Sequence, residues 1–337
     1  MQLWKAKVFI LFLMGIGMLI GMNYIVPEDK NDHCGTREAI EVTAHSFNQT
    51  LSDLESTINE GADHLKRLHS EEEQIKVLET IASDDYKYDE KGIYYNEYSK
   101  EKSTGFATGY VEIDSKLKNA LMATESLDPY FKNFLSLYPF VTQIYYNDVR
   151  SFLRIYPSFS VPGVVEPNTD LTNYNFLSFA YDRGDEIIFI NKPYIDPAGK
   201  GWVVSLVKPV RIEDDLIGVI GVDLSLEMLN DLLIVKNGML IVNEVGDILT
   251  LSEDMYQQAG LKVLKEHRYY SQVDKTISLP EEYNLNKSKI KGFRDMWHQV
   301  IDEDQTRGEI NYDGKERNYC AIPIEAYGIY LIHINVD

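Results

Sequence analysis

The chain opens with an unbroken apolar run. Val8 to Val26 reads VFILFLMGIGMLIGMNYIV without a charged residue, with Lys5 and Lys7 before it and Glu28, Asp29 and Asp32 after it. Roughly 20 apolar residues cross a bilayer as a helix, so the run predicts one transmembrane helix over 8–26. The flanking lysines place residues 1–7 in the cytoplasm and everything after Pro27 outside it. A cleaved signal peptide is the competing reading. The run is long for such a signal and no small-x-small site closes it, which favours an uncleaved anchor. The last residues, GIYLIHINVD, are strand-like and too short to cross a membrane.

The pattern then takes a helical period. Over 36–82, Phe47, Leu51, Leu54, Ile58, Leu65 and Leu68 recur at three- and four-residue steps, with Gly61 and Ala62 filling the gap. That is one apolar stripe on a long helix, suited to packing on its own domain or on a second helix in a homodimer. After Asp84 the period shortens. YKYDEKGIYYNEYS reads as a polar hairpin or loop, and Ser115–Met122 and Pro129–Leu137 as short helices. TQIYYND, SFLRIYP, EIIFINKPYID, GWVVSLVKPV and DLIGVIGVDLSL read as strands separated by turn signals. Leu226–Leu233 reads as a short helix capped by Ser225. GMLIVNEVGDILTLS, RGEINYDGKERNYCAIPI and YGIYLIHINVD supply a second, smaller set of strands. The expectation is an α+β fold, two antiparallel-sheet units on one long helix, at 83–225 and 226–337.

Charge narrows the function. The formal net charge is −20. Beyond the anchor lie 31 of the 33 basic residues and all 53 acidic ones, a field that repels nucleic acid and anionic headgroups. Two cysteines, Cys34 and Cys320, are too few for a disulfide scaffold or a structural zinc site, and either a bridge between them or two separate thiols fits the sequence. The seven His form no HExxH pair, so no metal or other cofactor is expected. No GxSxG, Walker A or GxGxxG motif is present, and the chain does not read as an enzyme.

Candidate binding chemistry sits in the strand-rich unit. Asp223 interrupts the apolar run LIGVIGVDLSL, where alternation sets Val219, Gly221 and Asp223 on one face. A buried carboxylate is costly without a partner, which a cationic amine would provide, and Gly221 would leave room for it. Alternatively Asp223 caps the helix that follows. Tyr194 and Asp196 stand two apart and face one way on an extended segment, unless Asp196-Pro197 only starts a turn. Tyr145, Arg154, Tyr156, Tyr174, Phe176 and Phe179 are candidate walls, with Arg154 the candidate anion contact.

KPYIDPAGKGWVVSLVKPVRIEDDLIGVIGVDLSLEML resembles the double Cache sensor domain of bacterial chemoreceptors, histidine kinases and diguanylate cyclases. The resemblance rests on Pro193-Tyr194-x-Asp196, Gly201-Trp202-Val203-Val204, Pro209-Val210 and Gly218-Val219-x-Gly221-Val222-Asp223-Leu224-Ser225. It implies two PAS-like sheets on a long helix, 83–225 distal to the membrane and 226–337 proximal to it, with a small ligand in the distal unit. In amino-acid-binding members a Tyr and two Asp hold the ligand ammonium, and Tyr194, Asp196 and Asp223 match them. Where those members have Asp-Pro-Arg-x-Arg-Pro-Trp-Tyr for the carboxylate, this chain has Asp170-Leu171-Thr172-Asn173-Tyr174-Asn175-Phe176-Leu177, with Tyr174 in the place of the arginine. The expected ligand is therefore an amine or modified amino acid, or alternatively a small carboxylate held by Arg154. The expected function is an extracytoplasmic sensor of a single-pass membrane signalling protein, in the cell membrane with its domain periplasmic or extracellular. A membrane-anchored interaction protein that signals through a partner chain is the alternative.

Overall fold

A computed structural model describes residues 37–81, 85–173, 175–196, 201–235, 237–262, 264, 279–312 and 314–335. The apolar run at 8–26, Cys34 and Tyr174 lie outside the described residues. Among the described residues no helix is long and apolar enough to cross a membrane.

The helical stripe forms helix α1 (Arg37–Leu68), on which Ile40, Phe47, Leu51, Leu54, Ile58, Ala62, Leu65 and Leu68 are all buried. The helix expected to continue to 82 stops at Leu68. Ser70 adopts extended backbone and starts a separate helix, α2 (Glu71–Leu78), whose first turn carries Glu71, Glu72 and Glu73. Three carboxylates suit the positive end of a helix, and α2 buries no residue of its own.

The larger sheet has eight strands: β1 (Tyr86–Tyr88), β2 (Tyr94–Asn96), β3 (Thr104–Ala107), β4 (Val141–Asp148), β5 (Phe152–Tyr156), β6 (Ile188–Ile195), β7 (Trp202–Ile212) and β8 (Asp215–Ser225). Their order is β1-β2-β3-β5-β4-β8-β7-β6, and every pairing is antiparallel. Period-two alternation divides it into two faces. One face, with Ile144, Phe152, Val204, Leu206, Ile220, Val222 and Leu224, packs on α1 together with α3 (Ser115–Ala123) and α4 (Asp128–Leu137). The carboxylate of Asp114 caps α3 by accepting from the Leu117 N–H at 2.8 Å. The other face, with Tyr145, Leu153, Ile155 and Val207, is covered by the loop that carries Phe159, Val161 and Leu171. Beside it α5 (Asn175–Tyr181) rests Leu177 and Ala180 on Val219.

After the short helix α6 (Leu226–Leu229) comes a five-stranded sheet in the order β10-β9-β13-β12-β11. Its strands are β9 (Met239–Asn243), β10 (Ile248–Leu251), β11 (Arg307–Tyr312), β12 (Lys315–Ile324) and β13 (Ile329–Ile334). Helix α7 (Glu253–Gln258) follows β10, and α8 (Lys291–Asp302) packs Phe293, Met296, Trp297 and Val300 on one sheet face. The opposite face sends Ile241, Leu249 and Leu331 into the core that α1 lines. One helix is thus the spine of both sheets. This is the α+β architecture that the double Cache resemblance implied.

The two sheets also touch directly. The Asn191 amide, in a register break of β6 between Ile190 and Tyr194, donates to the carbonyls of Tyr327 and Gly328 at 3.0 and 3.1 Å. The Asn243 amide of β9 donates back to the Asn191 carbonyl at 3.0 Å. Phe189 meets Tyr327 edge to face at 5.6 Å.

Candidate functional site

The covered face of the larger sheet holds a polar cluster at the pairing of β4, β8 and β7. Gln143 of β4 lies opposite Asp223 of β8, and Ser205 of β7 lies opposite it on the other side. These three cross-strand neighbours share one face by register alone. Tyr194 reaches in from β6, and Asp196 follows at its end. The Ser205 hydroxyl donates to Asp223 Oδ1 at 2.6 Å, and the Tyr194 hydroxyl to the same oxygen at 3.2 Å. The Gln143 amide donates to both acids, to Asp196 Oδ1 at 2.9 Å and to Asp223 Oδ2 at 2.5 Å. Asp196 and Asp223 are 1% and 2% exposed, so two carboxylates face one neutral amide away from water.

Electrostatics follow from that placement. Burial pushes the Asp223 carboxyl up to about 7, and the neighbouring Asp196 adds to the rise. The bonds from Ser205, Gln143 and Tyr194 pull the other way. Burial and the Asp223 charge together drive the Tyr145 and Tyr194 phenols well above their ordinary range, so both are uncharged. Among the described residues no basic side chain forms an ion pair with Asp223. A buried carboxylate with only neutral donors favours positive charge beside it.

The candidates divide by face. Tyr145 joins Asp223, but not as expected: its ring takes the space over Gly221 that a ligand was to use. A Cβ at Gly221 would stand 2.5 Å from Tyr145 Cζ and 2.6 Å from its hydroxyl. Glycine here makes room for an aromatic wall. Arg154 and Tyr156 are not brought to the cluster, because alternation on β5 points them to the α1 face while Leu153 and Ile155 face the cluster's side. Arg154 is fully buried there, donating to Thr124 Oγ1 at 2.6 Å, Ser103 Oγ at 2.8 Å, Tyr86 Oη at 2.5 Å and the Leu121 carbonyl at 3.0 Å. Ser103 in turn donates to Asp128, whose carboxyl burial raises and Arg154 tempers. It is a core cation with its bonds already made. Phe179 stands 47% exposed on α5. Phe176 falls on the same helix with its side chain outside the described residues, and Tyr174 lies outside them.

Gln143 and Ser205 were not anticipated. Each is a lone polar residue in an apolar strand, TQIYYND and WVVSLV, in step with Tyr145 and Val207. That signal was legible. The pairing that sets both beside Asp223 was not.

No family model and no curated protein matches the chain. Solved structures that resemble it include the ligand-binding domain of the Pseudomonas fluorescens chemoreceptor CtaA with L-alanine, at 17% identity and a TM-score of 0.47 over 88% of this chain and 93% of that one. The ligand-binding domain of the Pseudomonas aeruginosa amino-acid chemoreceptor PctB, with L-Arg, is 15% identical, with a TM-score of 0.49 over 89% and 92% of the two chains. That of Campylobacter jejuni Tlp3, with L-valine, is 11% identical, with a TM-score of 0.48 over 88% and 90%. At these identities and TM-scores the likenesses carry no argument about function. The fold rests on the helix and the two sheets themselves.

Proposed function

We propose that the chain is the extracytoplasmic small-molecule sensor part of a membrane signalling protein, and that its larger sheet binds an amine or amino-acid-like ligand. The observation that carries this reading is the pair of buried carboxylates, Asp196 and Asp223, bridged by one neutral amide. An alkylammonium group would bring positive charge to Asp223, whose side-chain donors Gln143, Ser205 and Tyr194 are all neutral, with Tyr194 and Tyr145 as walls. Burial of two like charges is favoured only with such a partner. The hydroxyls of Ser205 and Tyr194 both donate to Asp223 and hold its carboxylate in place for a ligand. Anchoring by the run at 8–26, pairing of two copies along α1 and passage of the signal through further sequence or a partner chain complete the proposal.

The test is a titration of the full chain in detergent micelles against amino acids, polyamines, quaternary amines and their deaminated analogues. A binder at a hundred times its Kd raises stability by about 2.7 kcal/mol. The effect is expected for amines only and is expected to vanish in Asp223→Asn. Binding that ignores that substitution, or that prefers the deaminated analogue, overturns the proposal.

A further inference from the structure

Behind the acidic cluster, where the two sheets meet, lies a cavity of about 170 Å³. Its apolar walls include Leu226, Ile248 and Leu251. Trp202, Thr250 and Tyr283 also line it and are 5%, 3% and 4% exposed. Their indole N–H and two hydroxyls are all buried and find no hydrogen-bond partner among the described residues. Buried polar groups are ordinarily satisfied, and each exception asks for an explanation. Three in the wall of one cavity ask for the same one.

We propose that this cavity is a second ligand site, for a small uncharged molecule with an apolar body and one hydroxyl or carbonyl oxygen. The size fits, since a cavity of about 150 Å³ holds one benzene-sized molecule. The polarity fits too. An indole N–H only donates, so the occupant must offer an acceptor, while the Thr250 and Tyr283 hydroxyls both give and receive. Burial holds the Tyr283 phenol protonated. Among the described lining residues the only charged one is Glu227, which is exposed, so a carboxylate finds no cation and an ammonium no buried anion.

The site is distinct from the acidic cluster yet tied to it through the backbone. Thr142, in the cavity wall, donates its hydroxyl to the Asp223 carbonyl at 3.1 Å. Gly201, also in the wall, accepts from the Asp196 N–H at 2.9 Å. An occupant would therefore press on the two residues that carry the acids.

The probe is p-cresol, titrated calorimetrically into the full chain in detergent micelles with empty micelles as the blank. Toluene serves as the isostere without oxygen and benzoate as the charged control. One p-cresol per chain is expected, with benzoate silent at the same concentration. Thr250→Val, which keeps the shape and removes the hydroxyl, is expected to weaken p-cresol about tenfold and leave toluene unchanged. Trp202→Phe, which removes the indole donor, is expected to act in the same direction. Absence of p-cresol binding, or affinity that neither variant alters, overturns the proposal. Asp223→Asn is expected to retain p-cresol binding, so failure of the acidic site and failure of this one read separately.

Discussion

Asp223→Asn replaces one buried carboxylate with an uncharged side chain of the same shape, and its consequence depends on pH. In the unfolded chain the carboxyl titrates near 3.8, and in the fold at about 7. Between those values the native state keeps a proton that the unfolded state has lost. Stability of the wild type, taken relative to the variant, therefore falls as pH rises from about 4 to 7 and levels off on either side. The interval from 3.8 to about 7, at about 1.36 kcal/mol per pH unit, amounts to about 4 kcal/mol, and a side chain 2% exposed calls for no solvent discount. At about 2 °C per kcal/mol for a large domain, the variant should melt on the order of 8 °C higher than the wild type at pH 8, relative to their difference at pH 4. Thermal unfolding of both proteins across pH 4 to 8, without ligand, reads the effect. The ligand inverts it: an amine stabilises the ionised acid, so its affinity climbs with pH toward 7 and binding below that releases a proton. Calorimetry in buffers of different ionisation enthalpy counts that proton. A difference between the two proteins that stays flat over the range, or that moves in favour of the wild type as pH rises, would refute the reasoning.

Gly221→Ala puts a methyl group 2.5 Å from the Tyr145 ring carbon, so the ring must leave its place on β8. A loss of about 1–3 kcal/mol is expected in chemical denaturation, together with loss of amine binding. A variant that keeps both shows that the ring is not held there. Arg154→Met removes a buried cation and leaves Ser103, Thr124 and Tyr86 without their donor. It should cost about 3–5 kcal/mol, while any folded fraction keeps its amine affinity; a selective loss of affinity at unchanged stability would return Arg154 to the binding site. Asn191→Ala should speed amide exchange at the amides of the 325–328 turn, while amine affinity changes no more than threefold or so. Unchanged exchange would mean that Asn191 is not the tie between the sheets.

Much of this was legible in the sequence because it is periodic. The stripe of Phe47, Leu51, Leu54 and Ile58 predicts a helix face, and all four are buried on α1. Alternation placed Val219, Gly221 and Asp223 together, and Tyr194 with Asp196, since strand period alone decides which residues share a face. What escaped depends on pairing between strands. Arg154 and Ile155 take opposite faces by alternation, but which of the two looks toward the cluster is set by the sheet and by no local pattern around SFLRIYP. The place of Gln143 beside two acids needs the register of β4 against β8, set by residues 80 apart. The end of α1 was legible and overlooked: Ser70 followed by three glutamates is a helix start, and a start inside an expected helix marks a break.

The joint made by Asn191 has a consequence for how such a protein can change. On the smaller sheet its acceptors are main-chain carbonyls, those of Tyr327 and Gly328, which any sequence supplies. Mutation can rewrite that turn without cutting the connection, so long as its backbone path survives. The path itself is held at one position, Gly328, whose φ of 59° lies in the left-handed region and whose Cβ would stand 3.0 Å from the Asn191 amide nitrogen. Asn191 lies three residues from Tyr194, so a new ligand preference can be drafted on one side of β6 while the linkage on the other stays in register. The two halves of the molecule can diverge at different speeds and remain mechanically joined.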